Sequence, residues 1–167
     1  ENSVGIAYGN DIEFVTNTAP PAVTTAQVTN IVAIYATCGG NITYDGGAPI
    51  TSKGICWSNT PQPDISDPHT TDGTGSGNFV STMSNLTGAT VYYVRAYASN
   101  GIWTVYGEEI SFRTKLSDIE GNIYNTVLIG TQLWMAENLR VAKLNDNTTI
   151  PQITDNASWA STVTPEY

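Results

Sequence analysis

Residues Asn2 to Thr16 (NSVGIAYGNDIEFVT) return at Asn100 to Thr114 (NGIWTVYGEEISFRT) without a gap. Tyr8 matches Tyr106, Gly9 matches Gly107, Ile12 matches Ile110, Phe14 matches Phe112 and Thr16 matches Thr114, each pair 98 positions apart. A fixed period of that size is the length of one β-sandwich domain. The chain therefore reads as modular: the closing strand of one sandwich at 1–17, a whole sandwich at 18–115, and a segment of different character at 116–167. A closing strand alone leaves its backbone unpaired, and 116–167 is too short for an independent core. Both ends are expected to be completed by chain outside this sequence or by a neighbouring copy.

The 167 residues carry 6 basic and 15 acidic side chains, a formal charge of −9. Nucleic-acid binding needs clustered Lys and Arg, and a polybasic run is equally what an anionic membrane surface attracts. This chain has neither, which argues against both partners, and the acidity reads as solubility. No apolar run approaches the length of a membrane span. A charged fraction of only 13 %, with abundant Thr, Ser, Asn and Gly, reads as an exported β-protein, extracellular or on the outer cell surface.

Strand candidates separated by turn signals fill the middle of the chain. They are Ile31 to Thr37, Ile50 to Ser58, Phe79 to Met83 and Thr90 to Ser99, with a turn at Tyr44-Asp45-Gly46-Gly47. The proline- and glycine-rich stretch from Pro61 to Asn78 reads as a long surface loop with a short edge segment. In the strand from Thr90, Tyr92, Val94, Ala96 and Ala98 alternate with Tyr93, Arg95 and Tyr97, the period of a half-buried strand. Val94, Ala96, Ile110 and Phe112 are expected to face inward.

That strand is entered through Leu86-Thr87-Gly88-Ala89-Thr90, and here the chain resembles a fibronectin type III domain. Gly88 stands where that family usually has proline, and Cys38-Gly39-Gly40 occupies the region of its second-strand tryptophan. The resemblance implies that Tyr92 is a structural tyrosine corner, its hydroxyl bonded back to upstream backbone. Together, CGGNITYDGGAPITSKGICWS, YYVRAYASN and VYGEEISF look like the fibronectin-like repeats of exported Bacteroidetes proteins. Beyond Lys115, DIEGNIYNTVLIGTQLWMAENLR looks like the opening of the Fibrobacter succinogenes major paralogous domain, with its D-x-x-G-N-x-Y…W-M-x-x-N-L signature. The implied fold is α+β, hairpin first. The residues alone place two strands at about 123–129 and 132–136, joined at Gly130-Thr131. The fold class is thus mainly β: tandem fibronectin- or immunoglobulin-like sandwiches followed by the opening β-hairpin of an incomplete α+β domain.

Several constellations invite chemistry. Cys38 and Cys56 fall on neighbouring strand candidates, and a bond between them would add roughly 3 kcal/mol by loop closure. That bond is expected, with two free buried thiols as the alternative. Gly73-Thr74-Gly75-Ser76-Gly77 lacks the strand before and helix after that a phosphate loop needs. His69, the only histidine, has no nucleophile beside it. Asp64, Asp67 and Asp72 lack the spacing of a dedicated calcium loop. Glu137 and Asn138 beside Trp134 and Met135 suggest a sugar platform, yet no second carboxylate at a set distance is identifiable. Trp134 and Leu139 are expected to pin a core instead. Trp57, Trp103, Tyr93 and Tyr97 are candidates for an aromatic patch, and Trp103, Tyr93 and Tyr97 for contacts with a ligand or neighbouring domain. Asn41, Asn85, Asn147 and Asn156 fit N-x-S/T, a signal only in a host that glycosylates.

The expected function is therefore non-catalytic, without metal or cofactor. The chain reads as a spacer and interaction module of a modular secreted or cell-surface bacterial protein, its partners neighbouring domains or copies, and a glycan or surface protein. The alternative is an accessory carbohydrate- or protein-binding region of a secreted hydrolase whose catalytic domain lies elsewhere.

Overall fold

The computed structural model describes residues 4–6, 8–12, 17–144 and 146–150. Eleven strands and no helix occur among them. The first seven build a sandwich: β1 (Ala22–Thr25), β2 (Ala36–Tyr44), β3 (Ser52–Ser58), β4 (Gly77–Met83), β5 (Val91–Ser99), β6 (Thr104–Tyr106) and β7 (Ile110–Arg113). One antiparallel sheet has the order β1-β2-β4. In the other, β3 pairs one edge of β5 while β6 and β7 pair successive parts of its opposite edge. The chain changes sheet at β2–β3, β3–β4 and β4–β5. This is an immunoglobulin- or fibronectin-like β-sandwich.

Alternation along each strand supplies the core. Ala36, Cys38, Ile55, Trp57, Met83, Leu86, Val94, Ala96 and Phe112 form its main cluster, with Ile110 and Tyr92 packed against it. The inward positions expected for β5 and for the closing strand are therefore the ones observed. A second cluster of Ile42, Ile50 and Ala98 continues the core toward one end. Trp57, 8 % exposed, fills the centre from β3. On β2 the layers come close instead: a Cβ on Gly40 would lie 2.7 Å from that of Ala96. A tryptophan has no room there, which accounts for the glycine pair in the second strand.

The closing strand is interrupted between Tyr106 and Ile110, and β1 reaches into the gap. Thr25 Oγ1 accepts the Ala96 N–H at 3.0 Å, while Gly107 N–H donates to Ala96 O at 2.8 Å. A Cβ on Gly107 would sit 2.5 Å from Thr25 Oγ1 and 2.7 Å from Thr25 N. Only glycine lets the first strand approach this closely. Beside it, the Arg95 guanidinium lies over the Tyr106 ring, 4.7 Å from its centroid. At the far end, buried Thr114 donates its hydroxyl to Thr87 O at 2.6 Å and accepts Thr90 N–H at 2.9 Å.

Beyond the sandwich, β8 (Leu116–Ser117) pairs with β9 (Ile123–Tyr124), and β10 (Thr126–Ile129) with β11 (Gln132–Met135). The second pair is the expected hairpin, turned at Gly130 with φ +62°, but its first strand begins at Thr126, since Ile123–Tyr124 pairs with β8 instead.

Several expectations are corrected. The strand placed at Ile31 to Thr37 begins only at Ala36, because Asn30 takes a left-handed φ of 49° and Val32 N–H donates to Tyr35 O in a turn. Ile34 is consequently 63 % exposed. Trp134 and Leu139, expected to pin a core, are both 54 % exposed. Tyr8 and Ile12 of the repeated block, expected in a closing strand, lie in no strand. Phe14, Thr16 and Trp159 lie outside the described residues.

Cys38 and Cys56 are not bonded to each other. Cys38 faces the core from β2 and donates to Ala26 O at 3.1 Å. Cys56 follows inward Ile55 and precedes inward Trp57, so it points to the opposite face of the other sheet. There its thiol meets Pro63 O at 3.4 Å and Arg95 O at 3.5 Å. A sheet layer separates the two sulfurs, and adjacency in sequence order could not reveal that. Burial pushes the Cys56 thiol up to about 12, reinforced by Asp64 and Asp67 and opposed by Arg95. Burial also raises Cys38. Thiol titration without reductant should find both groups slow to react in the folded protein and both free once it is unfolded. Absence of free thiol in the unfolded chain would refute this arrangement.

Candidate functional site

The long loop after β3 does more than cover surface. Its segment 68–73 runs along the free edge of β3. Trp57 N–H donates to Pro68 O at 2.9 Å, Thr70 N–H to Ile55 O at 2.9 Å and Asp72 N–H to Lys53 O at 2.7 Å. At the irregular point the Thr70 hydroxyl substitutes for a carbonyl, accepting Ile55 N–H at 3.1 Å. It also accepts the Ser81 hydroxyl of β4 at 2.7 Å and donates to Asp72 Oδ2 at 2.9 Å. Thr70 O, thereby released, takes the Tyr97 hydroxyl at 2.7 Å. Tyr97 is accordingly 3 % exposed. It points to the outer face of its sheet, as alternation implies, but this segment covers it. Tyr97 belongs to no surface patch, and Trp57, 8 % exposed, belongs mainly to the core.

Trp103, 47 % exposed beside 62 % exposed Ile102, does stand at the surface. Its loop is held by Asn100, whose Oδ1 accepts Trp103 N–H at 2.9 Å and Ile102 N–H at 3.3 Å. Asn100 Nδ2 donates to Ala19 O and Asp45 O, both at 3.1 Å. The tip is thus fixed to the chain entering the sandwich. Tyr93 is half-buried on the outer face of β5. Tyr92 is half-buried, stacks at 6.0 Å on Phe112, and its hydroxyl accepts Thr87 N–H at 3.1 Å. That is the geometry of a tyrosine corner.

Between the loop after β3 and the β4–β5 turn lies a cleft of about 430 Å³, lined by residues that include Trp57, Asn59, His69, Ser84, Asn85 and Tyr92. Trp57, His69 and Tyr92 each stood out singly in the sequence, but their meeting did not, because the lining comes from the loop after β3, the β4–β5 turn and β5.

The tempting Glu137 proves to be part of a polar lock. Asp118 Oδ1 accepts the N–H groups of Glu120 and Asn122, each at 2.9 Å. Its Oδ2 accepts Asn122 Nδ2 at 2.8 Å and the Tyr124 hydroxyl at 2.6 Å. Tyr124 is 1 % exposed, and its oxygen in turn accepts Arg140 N–H at 2.9 Å. Arg140 donates to Ile123 O at 2.8 Å, with its guanidinium over the Tyr124 ring, while Glu137 accepts Asn125 N–H at 2.8 Å. The D-x-x-G-N-x-Y signature and the Glu137–Arg140 stretch thus tie one loop cluster together.

Burial tends to raise the Asp118 carboxyl. The bonds from Tyr124, Asn122 and Glu120 outweigh it and bring the pKa down to about 2, from 3.8. A carboxylate lowered on folding stabilises above its unfolded pKa. The lock should therefore be at full strength above about pH 4 and weaken as pH falls through 2. Carboxyl-carbon NMR checks this: Asp118 should titrate near 2, and Tyr124→Phe should raise the midpoint. A midpoint of 3.8 or above in the unaltered protein would contradict the lock.

Among the described residues, no three His, Cys, Asp or Glu side chains gather to hold a metal. The loop aspartates have local duties instead: Asp64 Oδ1 accepts Ser66 N–H at 2.7 Å, and Asp67 Oδ2 accepts Asp64 N–H at 3.1 Å.

No family model and no curated protein matches the chain. Among solved structures, it is similar to a myokine, with TM-score 0.45 and 14 % identity, over 57 % of this chain and 98 % of that one. It is similar also to the sensor domain of the anti-sigma factor RsgI4 of Pseudobacteroides cellulosolvens, with TM-score 0.41 and 16 % identity, over 59 % and 97 %. A human fibronectin type III domain gives TM-score 0.38 and 13 % identity, over 66 % and 85 %.

Proposed function

We propose that the chain is a non-catalytic segment of a modular bacterial protein, secreted or on the cell surface, in which the sandwich serves as spacer and interaction module. The observation that carries this reading is the nature of the repeat. Tyr106, Gly107, Ile110, Phe112 and Thr114, the residues that recur at the 98-position offset, are those that close the sandwich. The repeat thus copies a fold element and not a reactive site, as expected of tandem scaffolds. In this reading 18–115 is one fibronectin-like repeat, 1–17 ends the copy before it, and 116–167 begins a Fibrobacter succinogenes major paralogous domain. The anchored Ile102–Trp103 tip supports an interaction role, since a rigid apolar projection binds at low entropic cost.

The test is protease treatment of intact cells, followed by detection with antibodies against residues 18–115. Loss of signal without lysis is the expected result, together with weaker attachment of cells lacking the protein. Full retention of signal on intact cells would overturn the surface assignment.

A further inference from the structure

We propose that the cleft between the loop after β3 and the β4–β5 turn binds a neutral saccharide ring. Its volume of about 430 Å³ falls within the range of small-molecule sites, roughly 300–1,000 Å³. Every side chain lining it is uncharged or an imidazole, on a chain of formal charge −9. An ionic ligand would find no counter-charge there. A peptide adding itself as a strand is equally unsupported, because segment 68–73 already fills the neighbouring β3 edge through its backbone hydrogen bonds.

What the cleft does offer is aromatic surface combined with unspent hydrogen-bonding groups. The side chains of Asn59, Ser84 and Asn85 make no hydrogen bond among the described residues, and all three line the cleft. His69 Nδ1 lies 2.9 Å from Asp67 O, and its Nε2 has no hydrogen-bond partner among the described residues. The Trp57 indole N–H has no acceptor among the described residues. Since no buried side-chain N or O among the described residues lacks a partner, that N–H reaches solvent. Amide and indole donors, an imidazole nitrogen and hydroxyls beside aromatic rings suit a ligand that presents C–H faces and alternating hydroxyls. Asn85 is held in a left-handed conformation, φ 57°, which fixes its position at the rim.

This inference goes beyond the spacer role, which the cell-surface experiment tests independently. The experiment is amide and indole NMR of the whole chain with cellobiose, lactose, mannobiose and xylobiose, each at up to about 10 mM, a range that detects weak sites. At least one should shift the Trp57 indole and the Asn59 and Asn85 side-chain signals together. The Asn59→Ala/Asn85→Gly variant tests the site without touching the core, and glycine accepts the φ of position 85. It should keep its melting temperature and lose binding by at least about tenfold. Three results would overturn the proposal. No disaccharide shifts these signals, the double variant binds unchanged, or the signals respond only to glucuronate, glucosamine or an uncharged peptide.

Discussion

Trp57→Ala should cost the sandwich about 3–5 kcal/mol, the usual loss when a buried indole is truncated. Trp57 is 8 % exposed and sits in the main cluster with Val94, Leu86, Met83 and Phe112. Its cluster includes Val94 of its own sheet and Cys38 and Met83 of the other, so the void would open between the two sheets where both are anchored by their own ladders. Neither sheet can close on the gap without shifting its register. Against a total stability of roughly 5–15 kcal/mol for a domain of this kind, the loss is a large share. Urea unfolding should show a lower midpoint with an unchanged slope, the mark of lost packing. A loss below about 1 kcal/mol would mean that the indole is not a core element.

The second copy of the repeated block, at 100–114, was the most legible part of the fold, for a physical reason. Gly107 must admit Thr25, Phe112 must fill the core, and Thr114 must satisfy the backbone at Thr87 and Thr90. Residues under such constraints recur when the element recurs. Tyr92 was legible through its neighbours because the hydroxyl reaches only a few residues upstream. Alternation identified the face to which Tyr97 points, but what covers a face is decided by a segment about thirty positions away. Cys56 is covered too, by Pro63 of the loop that follows its own strand. The apolar run from Ile31 suggested a strand, yet a left-handed Asn30 and a four-residue turn delayed it. Local propensity gives way where a turn already satisfies the backbone. The candidate site was nearly illegible. Trp103 stood out by type, whereas the cleft gathers Asn59, His69 and Asn85 only after the loop has folded along β3.

Gly39→Ala is expected to destabilise by about 3 kcal/mol, the upper part of the range for forcing atoms into filled space. In an ordinary strand the substitution would stabilise by roughly 0.5–1 kcal/mol, since alanine loses less backbone freedom on folding. Here the added Cβ would lie 2.1 Å from Phe79 O and 3.0 Å from Val80 Cα, both backbone atoms of β4. A side chain could rotate away, but a ladder cannot. β2 is the central strand of its sheet, paired to β1 on one side and to β4 on the other. Relief at Gly39 therefore requires opening the β2–β4 pairing around Val80, its Cα partner. The clash outweighs the entropic gain several-fold, so the sign of the effect is fixed by the contact. Hydrogen exchange should locate the damage, with protection lost first at the amides of β4 from Gly77 to Met83. An alanine variant as stable as the parent would show that the strands have slack at this point and that the close approach is not a constraint.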